Sequence, residues 1–241
     1  VNFLKSVRDM LVGNSSGKVN VSVKWDGAPA IICGTNPENG KFFVGTKSVF
    51  NVTPKVNYTN SDIRKNHDGN LATKLIVALK ELKKLNIRGV VQGDLLFTPG
   101  EIKKATIRGV PHIAFTPNTI TYAVPSDSDL AGKILRAKIG IIFHTTYTGG
   151  TLQTMKANYG VNISQFGNVP SVFYSDASYR DVSGNVLFTK TESDRFDAIL
   201  RMAEGSLLKS SKLLNLFATQ TSDLSLAFRL KTFFNTYVRE G

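Results

Sequence analysis

The sequence predicts an α+β fold: antiparallel sheets with flanking helices, and a helical C-terminal part. Three observations carry this. Strand-like segments come early and helices come last, without the regular alternation that builds a doubly wound sheet. The 241 residues suffice for one large domain, or a domain with a small satellite. A composition of 41% apolar and 20% charged residues is that of a chain with a packed core.

The elements follow in order. Asn2 to Leu11 reads as a short amphipathic helix, with Phe3, Leu4, Val7, Met10 and Leu11 at helical spacing. After the turn-rich Gly13-Asn-Ser-Ser-Gly17, the run from Val19 to Phe50 is strand-like. Val19, Val21 and Val23 alternate with polar residues, Ala30 to Cys33 is apolar, and Lys41 to Gly45 follows the turn Asn36-Pro-Glu-Asn-Gly40. Asn51 to Gly69 is polar and reads as a surface loop. Leu71, Leu75, Leu79, Leu82 and Leu85 form one apolar stripe of a helix that Gly89 ends. Its lysines, Lys74, Lys80, Lys83 and Lys84, read as a solvated face or as a track for a phosphate backbone. Val90 to Phe97 is a buried strand, and Thr119 to Val124 and Lys138 to Thr145 are two more. Pro111, Pro117 and Pro125 punctuate loops. Ser171 to Lys190 is ambiguous between turns and short strands, and from Ser193 onward the chain is mostly helical. The expected division is residues 1–190, followed by a helical segment over residues 191–241.

Composition excludes several classes of protein. Cys33 is the one cysteine, so neither an intrachain disulfide nor a cysteine zinc cage is available. No apolar run reaches the roughly 18 residues of a membrane span, and the N-terminus lacks the regions of a signal peptide. A cytoplasmic protein with no membrane partner is expected. Thirty Lys and Arg against 18 Asp and Glu leave a net charge of +12. Such an excess favours polyanions, and so a nucleic acid or nucleotide partner.

Several motifs fail inspection. Gly13-Asn-Ser-Ser-Gly17 has the letters of a nucleophile elbow, but a helix precedes it and a strand follows, the reverse of what an elbow needs. Continued to Gly17-Lys18-Val19, it has one residue too few for a phosphate loop and lacks the hydroxyl after the lysine. His67, His112 and His144 lie too far apart for paired zinc ligands.

Val21-Ser-Val-Lys24-Trp-Asp26-Gly27-Ala-Pro-Ala30 is the informative segment. A lysine at the end of a strand becomes a nucleophile when neighbouring cations or a metal lower its pKa and leave a neutral amine. Asp26 would orient it, and Gly27 would let the backbone approach a ligand closely. Trp25, the only tryptophan, is expected to pack at the mouth of the pocket. Gly45-Thr-Lys47-Ser48 lies 23 residues beyond Lys24. Val90-Val-Gln-Gly-Asp94-Leu-Leu-Phe97 puts an acidic residue on an apolar strand 70 residues beyond it. Thr119-Ile-Thr-Tyr122-Ala-Val124 is an aromatic-bearing strand.

Together these resemble motif I (Lys-x-Asp-Gly), the second basic element, motif III and the base-stacking strand of the covalent nucleotidyltransferases. That superfamily comprises the ATP-dependent DNA ligases, the RNA ligases and the mRNA-capping enzymes. The wording also resembles ligase-like proteins of large tailed phages. The likeness covers roughly residues 19 to 145 and implies a nucleotidyltransferase or ATP-grasp-like domain. It further implies an ATP-dependent polynucleotide ligase or adenylyltransferase acting on DNA or RNA ends, of the kind that serves nucleic-acid repair. Lys24 would attack the α-phosphate and expel pyrophosphate, leaving a lysyl-AMP phosphoramidate. Mg²⁺ (or Mn²⁺) would neutralise the phosphates. Asp94 would bind the ribose or the metal, Lys47 the ribose or phosphate, and Tyr122 or Val124 would lie against the adenine.

The sequence departs from the family in three ways. Asp94 stands where ligases usually have Glu, and Lys47 stands where Arg is usual. Glu204-Gly-Ser-Leu-Leu-Lys209 and Arg229-Leu-Lys231 have the letters of motifs IV and V but fall within helical periodicity. On that reading motifs IV and V lie beyond Gly241, or catalysis has been lost. The alternative function is then a scaffold without turnover, serving as a virion or nucleic-acid-binding component. The motifs do not choose between ATP and GTP.

Overall fold

The computed structural model describes residues 1–12, 22–178, 188–218 and 226–240. In chain order the elements are α1 (Asn2–Leu11), β1 (Ala30–Thr35), β2 (Phe42–Gly45), α2 (Asn60–Asn66), α3 (Gly69–Leu82), β3 (Val90–Phe97), β4 (Lys103–Ile107) and β5 (Val110–Phe115). They continue with β6 (Tyr122–Pro125), α4 (Asp129–Arg136), β7 (Ile139–Thr148), β8 (Lys156–Tyr159), β9 (Val172–Asp176), α5 (Lys190–Ala218) and α6 (Leu226–Glu240). The chain is α+β and divides into two compact units, Val21–Tyr179 and a second made of Val1–Asn20 with Arg180–Gly241. Sequence put the break near residue 190 and kept the first helix with the strands. In the second unit Arg8 Nη1 on α1 donates to Asp197 Oδ1 on α5 at 2.7 Å, which ties the ends of the chain together.

The larger unit is built on a six-stranded mixed sheet in the order β2-β1-β3-β7-β8, with β9 also paired to β7. The outer edge of β7 is shared. Thr145–Thr148 pairs antiparallel with β8, and Ile139–Phe143 pairs parallel with β9. His144 falls between the two partners. Leu75, Leu79 and Leu82 of α3 bury one face of the sheet against Ile31, Val91, Leu95, Ile141 and Phe143. On the opposite face a three-stranded sheet, β4-β5-β6, packs with α4 through Ile113, Phe115, Ala131 and Ile134 onto Leu96, Phe97 and Ile142. A second cluster on that face joins Ile32, Phe43 and Val90 to Val49 and Leu152.

Several elements differ from the sequence reading. Asn51 to Gly69 is not simply a loop. Asn57 exchanges both backbone hydrogen bonds with Val44 of β2, and α2 follows. Lys74 is not on a solvated face; it is buried and pairs with Glu101 at 2.9 Å. Asn86 in the left-handed region (φ 52°), rather than Gly89, ends the helical turn that follows α3. Strand β6 starts only at Tyr122, because residues 118–120 wrap around Asp26. Strands β4, β5 and β8 and helix α4 were not anticipated. Gly13 to Gly17 and the start of the Val19 to Val23 strand lie outside the described residues, while Ser22 bridges Ser178. Among the described residues no helix is long and apolar enough to cross a membrane.

Candidate functional site

The segment carrying Lys24 spans β7 from β9 to β3. The Val23 N–H donates to the carbonyl of Ala177, just past β9, at 2.9 Å. The Ala28 N–H donates to Leu95 O at 2.9 Å, and the Leu95 N–H donates to Pro29 O at 3.1 Å, both on the β3 side. Gly27 therefore lies against Asp94. A Cβ at position 27 would stand 2.6 Å from Asp94 Cβ and 2.9 Å from Leu95 O, closer than side chains allow. The close backbone approach expected of this glycine is thus made to the protein's own central strand.

Strand β3 is an apolar run buried along its length except at Asp94. Such a run suits a central strand covered on both faces, so its one carboxylate faces an opening in the layers above. That opening is a cleft of about 360 Å³ lined by Lys24, Trp25, Asp94, Ile142, His144 and Tyr159, together with Ser22, Val23 and Ala177. The volume lies in the range of small-molecule sites. Lys24 is exposed, and its Nζ makes no hydrogen bond or ion pair among the described residues.

A break in register brings the histidine in. Gly93 pairs with Phe143 and Gln92 with Thr145, so His144 is the extra residue of a β-bulge. Bulges re-aim side chains and occur often beside active sites. Here the bulge puts His144 Nε2 3.5 Å from Asp94 Oδ1, while Nδ1 lies 2.8 Å from Thr145 Oγ1. Tyr159, 58% exposed, ends β8 and lines the cleft.

The remaining residues singled out by sequence are placed elsewhere. Asp26 does not turn to Lys24. Its carboxylate accepts from Asn118 Nδ2 at 2.9 Å, the Thr119 N–H and Oγ1 each at 2.7 Å, and the Ile120 N–H at 2.8 Å. The Thr119 hydroxyl, the Asn118 amide and these backbone donors hold the carboxyl well below the usual carboxylate range. The Asp26 N–H in turn donates to Tyr122 Oη at 2.8 Å. The Tyr122 ring packs on Trp25 and Phe115, with centroids 5.1 and 5.7 Å away. Val124 packs in the same cluster. Tyr122 therefore supports Trp25, and neither Tyr122 nor Val124 lines the cleft. Lys47 is exposed at the start of a 3-10 turn capped by Thr46, and it does not line the cleft either.

Of the residues singled out by sequence, Lys24, Asp94 and Trp25 line this one cleft. Sequence singled out neither Tyr159 nor His144, which line it too. The one available signal was His144 at the end of an apolar strand, and no sequence rule shows that a bulge turns it toward position 94. Among the described residues Asp94 and His144 are the only His, Cys, Asp or Glu side chains lining the cleft, and no group of three or more such side chains comes together. One carboxylate suits a magnesium ion that keeps its waters and shares substrate phosphates.

A family model described as a family of unknown function (DUF6267) matches residues 1–241. No curated protein and no solved structure matches the chain.

Proposed function

The chain belongs to the DUF6267 family, and we propose that it is an ATP-dependent nucleotidyltransferase, a polynucleotide ligase or adenylyltransferase, with Lys24 as the nucleophile. The observation that supports this reading is that Lys24 and Asp94, 70 residues apart, line one cleft with Gly27 seated on Asp94. In the step proposed, the neutral Lys24 amine forms a P–N bond to the α-phosphorus, the Pα–O bond to pyrophosphate breaks, and the amine releases a proton. A bound Mg²⁺ would neutralise the phosphates, with Asp94 the carboxylate that holds it or the ribose. The base then lies on Trp25 and Tyr159, since Tyr122 and Val124 are used in packing. The AMP passes to a 5′-phosphate, and a 3′-hydroxyl displaces it to seal a DNA or RNA end. The net charge of +12 suits that polyanionic substrate.

Incubation with [α-³²P]ATP and Mg²⁺ is expected to leave an acid-labile covalent label on the wild type and none on Lys24→Ala or Lys24→Arg. Parallel incubation with labelled GTP separates ligase-type from capping-type transfer. No label from either nucleotide, or equal label on Lys24→Ala, would overturn the reading.

A second reading is favoured by one specific observation. Glu204 to Lys209 lies within α5 and Arg229 to Lys231 within α6, where motifs IV and V would occupy strands. On this reading the chain keeps the scaffold without turnover and binds nucleic acid as a virion component or in the host cytoplasm. Salt-sensitive nucleic-acid binding without any adduct is its signature.

A further inference from the structure

A second cleft, of about 500 Å³, opens at the other end of β1, lined among others by Thr35, Lys41, Tyr58, Thr59, Lys83 and Asn86. Its chemistry follows from counting hydrogen-bond donors around Tyr58. The Asn36 Oδ1 accepts the Glu38 N–H at 2.9 Å, and Asn39 Oδ1 accepts the Lys41 N–H at 3.0 Å. Both side-chain amides are therefore fixed with their NH₂ groups turned the other way. Those NH₂ groups donate to Tyr58 Oη at 2.7 and 3.0 Å. With both acceptor positions of the oxygen filled, Tyr58 has only its O–H proton left to give, and no described residue accepts it. The Thr59 hydroxyl is not in this state: it accepts the Asp62 N–H at 3.1 Å and gives its own proton to the Asp62 carboxylate.

Two ammonium groups join the Tyr58 hydroxyl. Lys41 and Lys83 line the cleft, and neither has an ion-pair partner among the described residues. Neither carboxylate nearby in sequence lines the cleft. Asp62 accepts the backbone N–H groups of Tyr58 and Thr59, and Glu38 accepts from Leu152 N–H at 3.4 Å. Lys83 beyond the C-terminus of α3 also complements that helix's dipole. The dipole accounts neither for Lys41, which comes from the β1–β2 connection, nor for the Tyr58 hydroxyl proton with nothing to bind. We propose that this cleft is a phosphate site. Two compact cations with the Tyr58 hydroxyl donor and no lining carboxylate fit a multiply charged oxyanion, and lysine binds phosphate as a point charge. The phosphate comes either from a free ligand or from a nucleic-acid backbone.

The test uses the full chain in wild-type form and as Lys24→Ala, so that binding at the first cleft is separated from binding at the second. Calorimetric titration with inorganic pyrophosphate is expected to give the same affinity for this site in both. The double variant Lys41→Ala/Lys83→Ala should weaken it at least about tenfold, as expected for two charge-assisted contacts. Tyr58→Phe, which keeps the ring, should weaken it by roughly two- to tenfold, the worth of one hydrogen bond. Unchanged Trp25 fluorescence in each variant checks that the fold is intact. Anisotropy of a labelled single-stranded oligonucleotide at fixed salt then separates the sources. A parallel loss in the variants makes the ligand a nucleic-acid backbone, and an unchanged oligonucleotide affinity makes it a free phosphate. If pyrophosphate does not bind to Lys24→Ala, or if the variants bind it as the parent does, the site does not exist.

Discussion

Gly27 leaves no room for a side chain against Asp94, which lines the first cleft. A methyl group at position 27 has to displace the backbone of the central strand or lift the Lys24 segment off it, because both near atoms, Asp94 Cβ and Leu95 O, belong to β3. Gly27→Ala is therefore expected to destabilise the fold by about 1–3 kcal/mol, the usual cost of overpacking. Urea unfolding followed by the fluorescence of Trp25, the only tryptophan, measures it. A loss of only a few tenths of a kcal/mol would mean that the close approach is not there. The same geometry explains which site residues can be read from sequence. Lys24 and Asp94 are legible because the chemistry and spacing of a motif need only those two positions. The work of Asp26 is not, because its partners Asn118, Thr119 and Ile120 lie more than ninety positions away and become neighbours only when the strands assemble. His144 is illegible for a different reason: one inserted residue in a ladder reverses which way a side chain points.

Helix α2 shows what can hold an element too short to announce itself. Seven residues do not reveal an apolar period, and the polar surroundings of Asn60–Asn66 read as a loop. Local capping offsets that weakness. Thr59 Oγ1 accepts the Asp62 N–H at 3.1 Å, and Asp62 Oδ2 accepts the Thr59 N–H at 2.9 Å, a reciprocal box that could have been read from Thr59-x-x-Asp62. Thr59→Ala is expected to cost about 1 kcal/mol, a typical loss for an N-cap, with faster amide exchange confined to α2. Uniformly faster exchange would mean that the box supports the whole unit rather than its own helix. Strands β4 and β5 escaped for the opposite reason. Both are largely exposed at their start, and Pro111 in β5 with Pro125 ending β6 reads as loop punctuation. By contrast α3, β1 and β3 were legible because burial imposes a continuous apolar pattern on them.

For the larger unit taken as a whole, the α+β class was legible from the order of strands and helices. The sharing of β7 between β8 and β9 was not, since it depends on pairings that no local pattern encodes. That assembly also fixes how the protein responds to pH. The turn donors of residues 118–120 hold Asp26 low, and Thr59 outweighs the effect of burial on Asp62. Burial pushes Glu81 and Glu101 up, but Lys84 and Ser171 in one case, and Lys74 and Thr98 in the other, leave both below their ordinary values. A carboxylate that is depressed in the native state binds fewer protons than its unfolded counterpart, so the stability it contributes is present above about pH 4.5 and is lost as pH falls. Burial, with Lys55, lowers the His67 imidazole against the pull of Asp68, so on acidification the unfolded chain takes up that proton first, beginning near pH 6.5. Burial raises the Cys33 thiol and the Tyr147 phenol, so the unfolded chain ionises first, above about pH 8.5 at the thiol and above about pH 10 at the phenol, and stability falls again. The urea midpoint read from Trp25 should therefore be flat only between about pH 6.5 and 8.5. Below that it should slope gently down to about 4.5 and then fall steeply. His67→Asn should remove the gentle slope and leave the steep fall unchanged. A wild-type midpoint that stays level from pH 7 down to 4 would show that neither the imidazole nor the four carboxylates differ between the folded and unfolded chain.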